Sequence, residues 1–449
     1  MPETKIIVLD DDPTGSQTVH SCLLLTRWGI QTLRGALEGD APLFFVLTNT
    51  RGVDAPRAAE LTREVCGNLR IALDSLSADG RPIHPLLVSR SDSTLRGHYP
   101  VETDVITEEL GPFDAHFLVP AFFEGGRVTI DSVHYIETDS GRLRVDETEF
   151  ARDSVFSYST SYLPDYVAEK TNGRILASAV ERFLLEDVRG DVRQRLLNLN
   201  GNVCCAVDCE RQADLDGFTA QVLEATGRGK RFLFRSGASL LTSLAGLPPQ
   251  PLAPAEMIHY RRGRAPGVVL VGSHVRKTTA QLEALFGEPD VAPVEVDVDR
   301  IAGARRHLLE EVLGQVSAVH GAGRTPVIYT SRAERTFPDQ GTRLAFGESV
   351  SQFLMELVRG LPEDIGFLIS KGGITSNDVL SKGLALRRAR VLGQILPGCS
   401  VVRCPEDHPR YPGLPVVIFP GNVGDEHGLA TVHRHLAGPA PGTDQRPLA

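Results

Sequence analysis

The 449-residue sequence has no run of about 18 apolar residues, which argues against a membrane-spanning helix. It has no excess of positive charge either. With 57 acidic and 47 basic side chains the formal net charge is −10, so bulk electrostatics would steer neither nucleic acid nor an anionic membrane to it. An anionic ligand would have to be held by local Arg, Lys and backbone N–H groups. The seven cysteines, at 22, 66, 204, 205, 209, 399 and 404, form no pair of CxxC motifs. The run Cys204-Cys205-Ala-Val-Asp-Cys209 lacks four zinc ligands at workable spacing, so buried free thiols in a reducing cytoplasm are the expectation. The N-terminus MPETKIIVLDDD has no signal-peptide pattern. GxSxG and HExxH are absent, and Gly321-Ala-Gly323 precedes an apolar run instead of following one, the wrong side for a dinucleotide fold.

What is present is a series of short apolar runs, each ending in a polar or glycine-containing loop. They are Ile6–Leu9, Leu43–Leu47, Leu86–Val88, His116–Val119, Val203–Val207 and Arg231–Phe234, then Val268–Val271, Val294–Val298, Val327–Tyr329, Ile365–Ile369 and Val416–Phe419. Runs this short and apolar predict strands buried on both faces, as in parallel sheets. Between them Leu61, Val65, Leu69, Ala72 and Leu76 step at helical spacing, as do Leu308, Val312 and Val316, and Phe346, Val350 and Leu357. The expectation is α/β: two α/β domains with mainly parallel sheets. Five prolines in 246–267 mark a linker. The predicted domains are therefore 1–245 and 268–436, with a disordered Pro/Gly-rich tail over 437–449. Residues 127–170 read as a strand-poor polar excursion covering a cleft.

Ligands of parallel α/β sheets sit outside the carboxyl ends of strands, so the residues after each apolar run are the candidates. After the first comes Asp10-Asp11-Asp12-Pro-Thr-Gly15. A single Asp there would be a helix cap, with Thr14 or Ser16 capping a helix from about Ser16 or Gln17. Three in a row repel one another and need a cation, donors or water, so a general base or Mg²⁺ ligand is expected. Arg90, Asp92 and Arg96 lie in the hydroxyl-rich Ser89-Arg-Ser-Asp-Ser-Thr-Leu-Arg-Gly-His98, which suits carboxylate or phosphate recognition or an ordinary Arg–Asp surface pair. Pro120-Ala-Phe-Phe-Glu-Gly-Gly-Arg127 is a third loop, a substrate contact or simply a turn. In the second half, Gly272-Ser273 before a helix near Thr278 is an anion-accepting turn, though not a P-loop. Gly372-Gly373 leaves N–H groups exposed, with Thr375 and Asp378 spaced as a capping box. Pro420-Gly421-Asn422-Val-Gly424 is the third glycine loop of that half. His427, His433 and His435 are a weaker metal candidate.

Taken together these segments resemble the four-carbon acid sugar kinase family. DDPTG (Asp11 to Gly15) is similar to its N-terminal DDxTG motif, DSTLRG (Asp92 to Gly97) to its second motif, and PAFFEGGR (Pro120 to Arg127) to its Pro-Ala-Phe…Gly-Arg segment. Gly272, Ser273, Thr278 and Gln281, then GGITS and PGNVG, look like its nucleotide loops. The resemblance covers nearly the whole chain, in order. The chain departs from the pattern at Asp10, where relatives often have Ala, at Ser89-Arg90, where many have Lys, at His98 for Asn, and at Ile374 for Asp or Glu.

The resemblance implies an N-terminal α/β domain for a sugar acid and a C-terminal α/β domain for ATP, with an interdomain active-site cleft. Known members phosphorylate acids such as erythronate and threonate or their oxo derivatives, and a relative acts on a branched 3-oxo acid. On this reading Asp11 or Asp12 is the base, its neighbour holding it or a hydrated Mg²⁺. Arg96, with Arg90, grips the substrate carboxylate, and Asp92 orients that Arg or a hydroxyl. Thr14 and Ser93 complete the acid site. Ser273, Gly372, Gly373, Thr375, Gly421 and Asn422 line the nucleotide site. The expected partners are the sugar acid, ATP and Mg²⁺, with no nucleic acid or membrane; a homodimer stays open, as does the metal's ligand set. Two rivals are a non-catalytic sugar-acid and nucleotide sensor, which needs no base, and a metal-dependent enolising isomerase or aldolase-like enzyme, which has no use for three phosphate-type loops.

Overall fold

The computed structural model describes residues 3–138, 141–332, 337, 339–421 and 423–438. Two units divide the chain, Met1–Pro249 and Gln250–Ala449. In the first, β1 (Glu3–Asp10), β2 (Leu23–Leu25), β3 (Leu43–Leu47), β4 (Ile83–Arg90) and β5 (Ala115–Val119) precede a small antiparallel sheet of β6 (Arg127–Ile130), β7 (Val133–Thr138) and β8 (Gly141–Arg144). β9 (Glu181–Phe183), β10 (Val203–Val207) and β11 (Phe232–Ser236) then return to the main sheet. Its order is β2-β3-β1-β4-β11-β5-β10-β9, with every pairing parallel. All of Leu43–Leu47 and all of Ile6–Asp10 are buried, as expected for strands covered on both faces.

Helix Ala55–Ala78 shows how the sequence builds the covering layer. The Asp54 side chain caps it by accepting from the Arg57 N–H at 3.0 Å, and Pro56 sits in its first turn. Val65, Leu69, Ala72 and Leu76 then fall on one stripe and pack with Ile7, Leu9, Phe44 and Val46 of β1 and β3. Truncating Leu69 to Ala would cost about 3 kcal/mol through the cavity left behind.

The second unit contains β12 (Val268–Val271), β13 (Val291–Val296), β14 (Thr325–Thr330), β15 (Leu368–Lys371), β16 (Arg388–Leu396), β17 (Cys399–Arg403) and β18 (Pro415–Phe419), in the order β13-β14-β12-β15-β18-β17-β16. The sheet is parallel as far as β18; β17 runs antiparallel to both β18 and β16. Part of the Pro-rich stretch packs on this unit. Residues Pro254–Tyr260 form a 3₁₀ turn whose Met257 is fully buried in the second core.

Three expectations need correction. Residues 127–170 are not strand-poor, since β6, β7 and β8 lie there. Their residues are mixed in polarity, as in Val133-His-Tyr-Ile-Glu-Thr138, because half of this ladder faces water. No helix starts near Ser16: residues 11–18 form turns. Finally, Thr375 and Asp378 do not make a capping box. Gly372 is the N-cap residue without a side-chain bond, and Asp378 is held by Lys382 and Ser351. Asn422 and residues 439–449 of the expected tail lie outside the described residues.

Candidate active site

Four adjacent strand ends of the first unit, from β3, β1, β4 and β11, deliver the acid-site candidates. Backbone bonds tie their exit loops together: Asp11 N–H to the Arg90 carbonyl at 3.3 Å, Arg51 N–H to the Asp11 carbonyl at 3.2 Å, and Ser91 N–H to the Ser236 carbonyl at 2.9 Å. The loops cannot drift apart without losing these bonds, so residues distant in sequence are fixed side by side.

The three consecutive aspartates have three different environments. Asp10 is fully buried, and neither carboxylate oxygen has a hydrogen-bond partner. Burial pushes its pKa well up, and the Arg90 guanidinium 3.8 Å away only partly counters this. Asp11 is also buried, but both oxygens are engaged. Oδ1 accepts from Arg51 Nη2 at 2.6 Å, while Oδ2 accepts from Arg51 Nε at 3.3 Å and Ser91 Oγ at 2.8 Å. Asp12 keeps 22% of its side chain exposed. Its Oδ1 accepts from the Thr14 N–H at 2.8 Å and from the Thr14 hydroxyl, the turn that replaces the expected helix. Its Oδ2 faces Arg51 Nη1 at 3.6 Å. Burial would raise the Asp12 pKa, but Arg51 and the Thr14 bonds together lower it, so the group is ionised at neutral pH.

Asp92 and Arg96 come from the loop after β4. Arg96 Nε donates to Asp92 Oδ2 at 2.7 Å, its Nη1 lies 3.5 Å from Asp153, and its guanidinium stacks 4.9 Å over the Phe150 ring. Burial opposes ionisation of Asp92, yet Arg51 and Arg96 outweigh it and hold the carboxyl far below its usual range. The loop is pinned from outside by Tyr158 donating to the Thr94 carbonyl (2.7 Å), Tyr166 to that of Leu95 (2.8 Å) and His134 to that of Ser93 (2.8 Å). Leu95 sits at φ 67°, a left-handed conformation that an unpinned leucine would leave. At Gly97 (φ 124°) a Cβ would stand 2.5 Å from Ser91 Oγ and 3.0 Å from Asp11 Oδ2, so only glycine lets the loop close on Asp11. Ser91, Asp92, Leu95, Arg96, Tyr166, Arg235 and Ser236 are among the residues lining a pocket at this edge.

Asp11, Asp12 and Asp92 thus converge around one cation, with Thr14 bonded to Asp12 and Arg96 to Asp92, whereas Ser93 shares the loop with its carbonyl bonded to His134 and its side chain is not drawn into the cluster. Arg90 does not join them. The β1–β4 register sets it beside Asp10, and the pair is buried together. His98 is likewise internal, with Nε2 donating to the Val53 carbonyl at 2.9 Å. Sequence reasoning missed Arg51, the residue that gathers Asp11, Asp12 and Asp92, the last at 3.9 Å. It also missed Arg235, which donates to Glu102 at 2.5 Å and to Ser91 at 2.6 Å. Arg127 contributes a buried Nε with no partner.

The acid cluster does not fit a metal ion held by the protein alone. Both Asp11 oxygens are taken, and Arg51 occupies the position among Asp11, Asp12 and Asp92 that a cation would need. Among the described residues no other group of three His, Cys, Asp or Glu side chains is arranged to hold one. His433 is buried against Thr325 Oγ1 at 3.2 Å, and His427 is exposed beside Glu426.

In the second unit three loops meet at the ends of β12, β15 and β18. Gly272 N–H donates to the Lys371 carbonyl (3.2 Å) and Gly372 N–H to that of Phe419 (2.8 Å). Thr278 Oγ1 lies 3.1 Å from Ser273 Oγ and 3.3 Å from the Gly421 carbonyl. Any Cβ on Gly272 would stand 2.2 Å from Thr375 Oγ1, and Gly372 has φ 119°. Helix Gly373–Asp378 leaves directly from this point. Ser273, Gly372, Gly373, Thr375 and Gly421 are therefore neighbours, and Gln281 holds the third loop through the Val423 and Asp425 carbonyls at 3.0 and 2.7 Å. The sequence reading missed Lys371 beneath this loop.

The two units match known families separately. A sugar-binding N-terminal domain model matches residues 6–244, and a nucleotide-binding C-terminal domain model matches 268–429. A D-erythronate kinase of Heliobacterium modesticaldum is 25% identical over 326 residues, which span 70% of this chain and 68% of that protein. Solved structures of a Salmonella typhimurium LT2 protein (TM-score 0.72, covering 96% of this chain and 99% of that one) and a Haemophilus influenzae protein (TM-score 0.65, 96% and 100%) share the fold, each at 17% identity. With both halves matched in order, and with DDPTG and DSTLRG meeting at neighbouring strand ends, the chain belongs to the four-carbon acid sugar kinase family.

Proposed function

We propose that this protein transfers the γ-phosphoryl group of ATP to a hydroxyl of a small sugar acid, with the acid held by the first unit and the nucleotide by the second. Asp12 carries this reading. It is ionised and oriented by Thr14, and of the three aspartates it is the one still partly open to a ligand. A carboxylate so placed can align a hydroxyl for in-line attack and accept its proton as the bond to phosphorus forms. The low pKa suits a loose transition state, in which the proton leaves late and positioning matters more than base strength.

Asp11 then serves Asp12 through Arg51. Its two bonds fix the guanidinium, which in turn keeps Asp12 charged and directed. Arg96, braced by Asp92 and stacked on Phe150, presents its remaining N–H groups to the substrate carboxylate, with the unpaired Arg127 Nε as a second donor. Ser273, Thr375 and the N–H groups of Gly373 and Gly421 receive the nucleotide phosphates, and Gly372, whose own N–H is spent on the Phe419 carbonyl, lets them approach the backbone closely. The described side chains hold no metal, so Mg²⁺ would be carried by the nucleotide phosphates and would supply charge neutralisation there. The D-erythronate kinase relative makes four-carbon acids the first substrates to try. Incubation with ATP, Mg²⁺ and D-erythronate, threonates and their oxo derivatives, followed by ADP release, tests the reading. Release with at least one acid supports it, and no acid-dependent release across the panel contradicts it.

A further inference from the structure

Lys371 ends β15 immediately before Gly372 and is fully buried. Its Nζ donates to the carbonyls of Pro420 (2.6 Å) and Gly421 (3.2 Å) and lies 4.0 Å from the centre of the Phe419 ring. Among the described residues no carboxylate pairs with it. Asp378, on the helix that follows, is engaged by Lys382 at 2.9 Å and by Ser351. The other titratable groups facing it are Cys399 on β17, whose thiol burial pushes up and keeps neutral, and Lys277 on helix Arg276–Phe286, a like charge. The flanking strands β12 and β18 carry no titratable side chain.

An ammonium buried without an anion is costly, and a methionine would fill the same space more cheaply. Burial pulls the Lys371 pKa down from the usual lysine range to about 7. What the site lacks is a negative charge just above the loop that Lys371 holds from below. We propose that Lys371 is the positioning cation of the nucleotide loops, and that binding of a nucleotide polyphosphate draws a proton from solvent onto its Nζ. The amine lone pair takes the proton, and no other bond changes. The ammonium then fixes the Pro420 and Gly421 carbonyls inward, which leaves the loop's N–H groups to face the phosphates. This inference rests on the reading of the second unit as the ATP site.

Calorimetric titration of ADP into the full-length protein at about pH 8, in two buffers of different ionisation enthalpy, counts the protons exchanged. The phosphates of ADP are already ionised there, whereas the Lys371 amine, pulled down to about 7, is mostly neutral. The wild type should take up close to one proton per ADP. Lys371→Arg, always charged, and Lys371→Met, never charged, should both bind ADP with uptake near zero, the Met variant about tenfold more weakly. ADP binding by the wild type without proton uptake overturns the proposal, as does undiminished uptake in the Arg variant. Failure of the wild type to bind ADP at any pH overturns the nucleotide reading itself, and this proposal with it.

Discussion

Arg51 grips Asp11 with two bonds, Nη2 to Oδ1 at 2.6 Å and Nε to Oδ2 at 3.3 Å. The pair joins a loop after β3 to the end of β1 and answers the repulsion among consecutive aspartates. One half-buried arginine supplies the positive charge that a metal would otherwise have to provide, and it reaches Asp12 and Asp92 as well. The candidate acid site is thus an ion network built before any ligand arrives, which would lower the reorganisation needed in the proposed phosphoryl transfer.

Arg51→Met should therefore destabilise the protein by about 3 kcal/mol at neutral pH, because it leaves the buried Asp11 carboxylate without its paired cation and removes the nearest positive charge from Asp12. The sign of its pH dependence follows from Asp12 and Asp92, whose pKa values are held low in the folded state against the push of burial. Their contribution is present above about pH 4 and fades as pH falls through their native values. Urea unfolding should show the gap between wild type and variant narrowing from pH 7 to pH 3. A gap that does not change with pH would contradict the network.

Asp10 has the opposite sign. Burial raises its pKa in the native state, so its favourable contribution exists at low pH and is lost as pH rises through that value. Asp10→Asn should match wild-type stability near pH 3 and exceed it near pH 8. A variant less stable than wild type at both would show that the Asp10 charge is wanted.

Arg96→Ala should raise KM for the acid roughly ten- to a hundredfold, the value of a charge-assisted carboxylate contact, with ATP affinity unchanged. Arg90→Ala should instead lower the unfolding midpoint, since Arg90 is packed beside Asp10 inside the sheet. Steady-state kinetics and thermal unfolding of both variants separate the two roles. Equal KM effects would return Arg90 to the substrate site.

The contrast between these arginines shows what the sequence could reveal. Buried parallel strands announce themselves as short apolar runs, and Val203–Val207 and Val268–Val271 appear as strands with those limits. Asp12 and Asp92 were legible because carboxylates and glycines cluster directly after such runs. Arg90 was misleading because a strand's last residue can point into the sheet or out to the pocket, and only the β1–β4 register decides. Arg51 was hidden for the reverse reason. Nothing in Thr48-Asn-Thr-Arg51 marks it as ionic, and its partners lie 39, 40 and 41 residues away in Asp12, Asp11 and Asp92. Nothing in Ser370-Lys371-Gly372 marks the lysine as buried, and its burial follows from the loop after β18, whose Pro420 carbonyl it holds.

Gly372→Ala places a side chain at φ 119°, with Ser273 Cβ 3.3 Å away. Strain of about 1–3 kcal/mol should appear as weaker ADP binding, while acid binding by the first unit is kept. Calorimetry with each ligand alone reads the two effects. Unaltered ADP affinity would remove this loop from the nucleotide site.

The central claim is that Asp12 directs phosphoryl transfer from ATP to a sugar-acid hydroxyl. Phosphorus NMR of the reaction with an accepted acid follows ATP, ADP and the new phosphate ester in one sample. The wild type should form one ester per ADP, and Asp12→Asn should slow ester formation roughly 10²- to 10⁴-fold while binding ADP normally. ADP formed without an ester, or an Asp12→Asn variant turning over at the wild-type rate, would contradict the account.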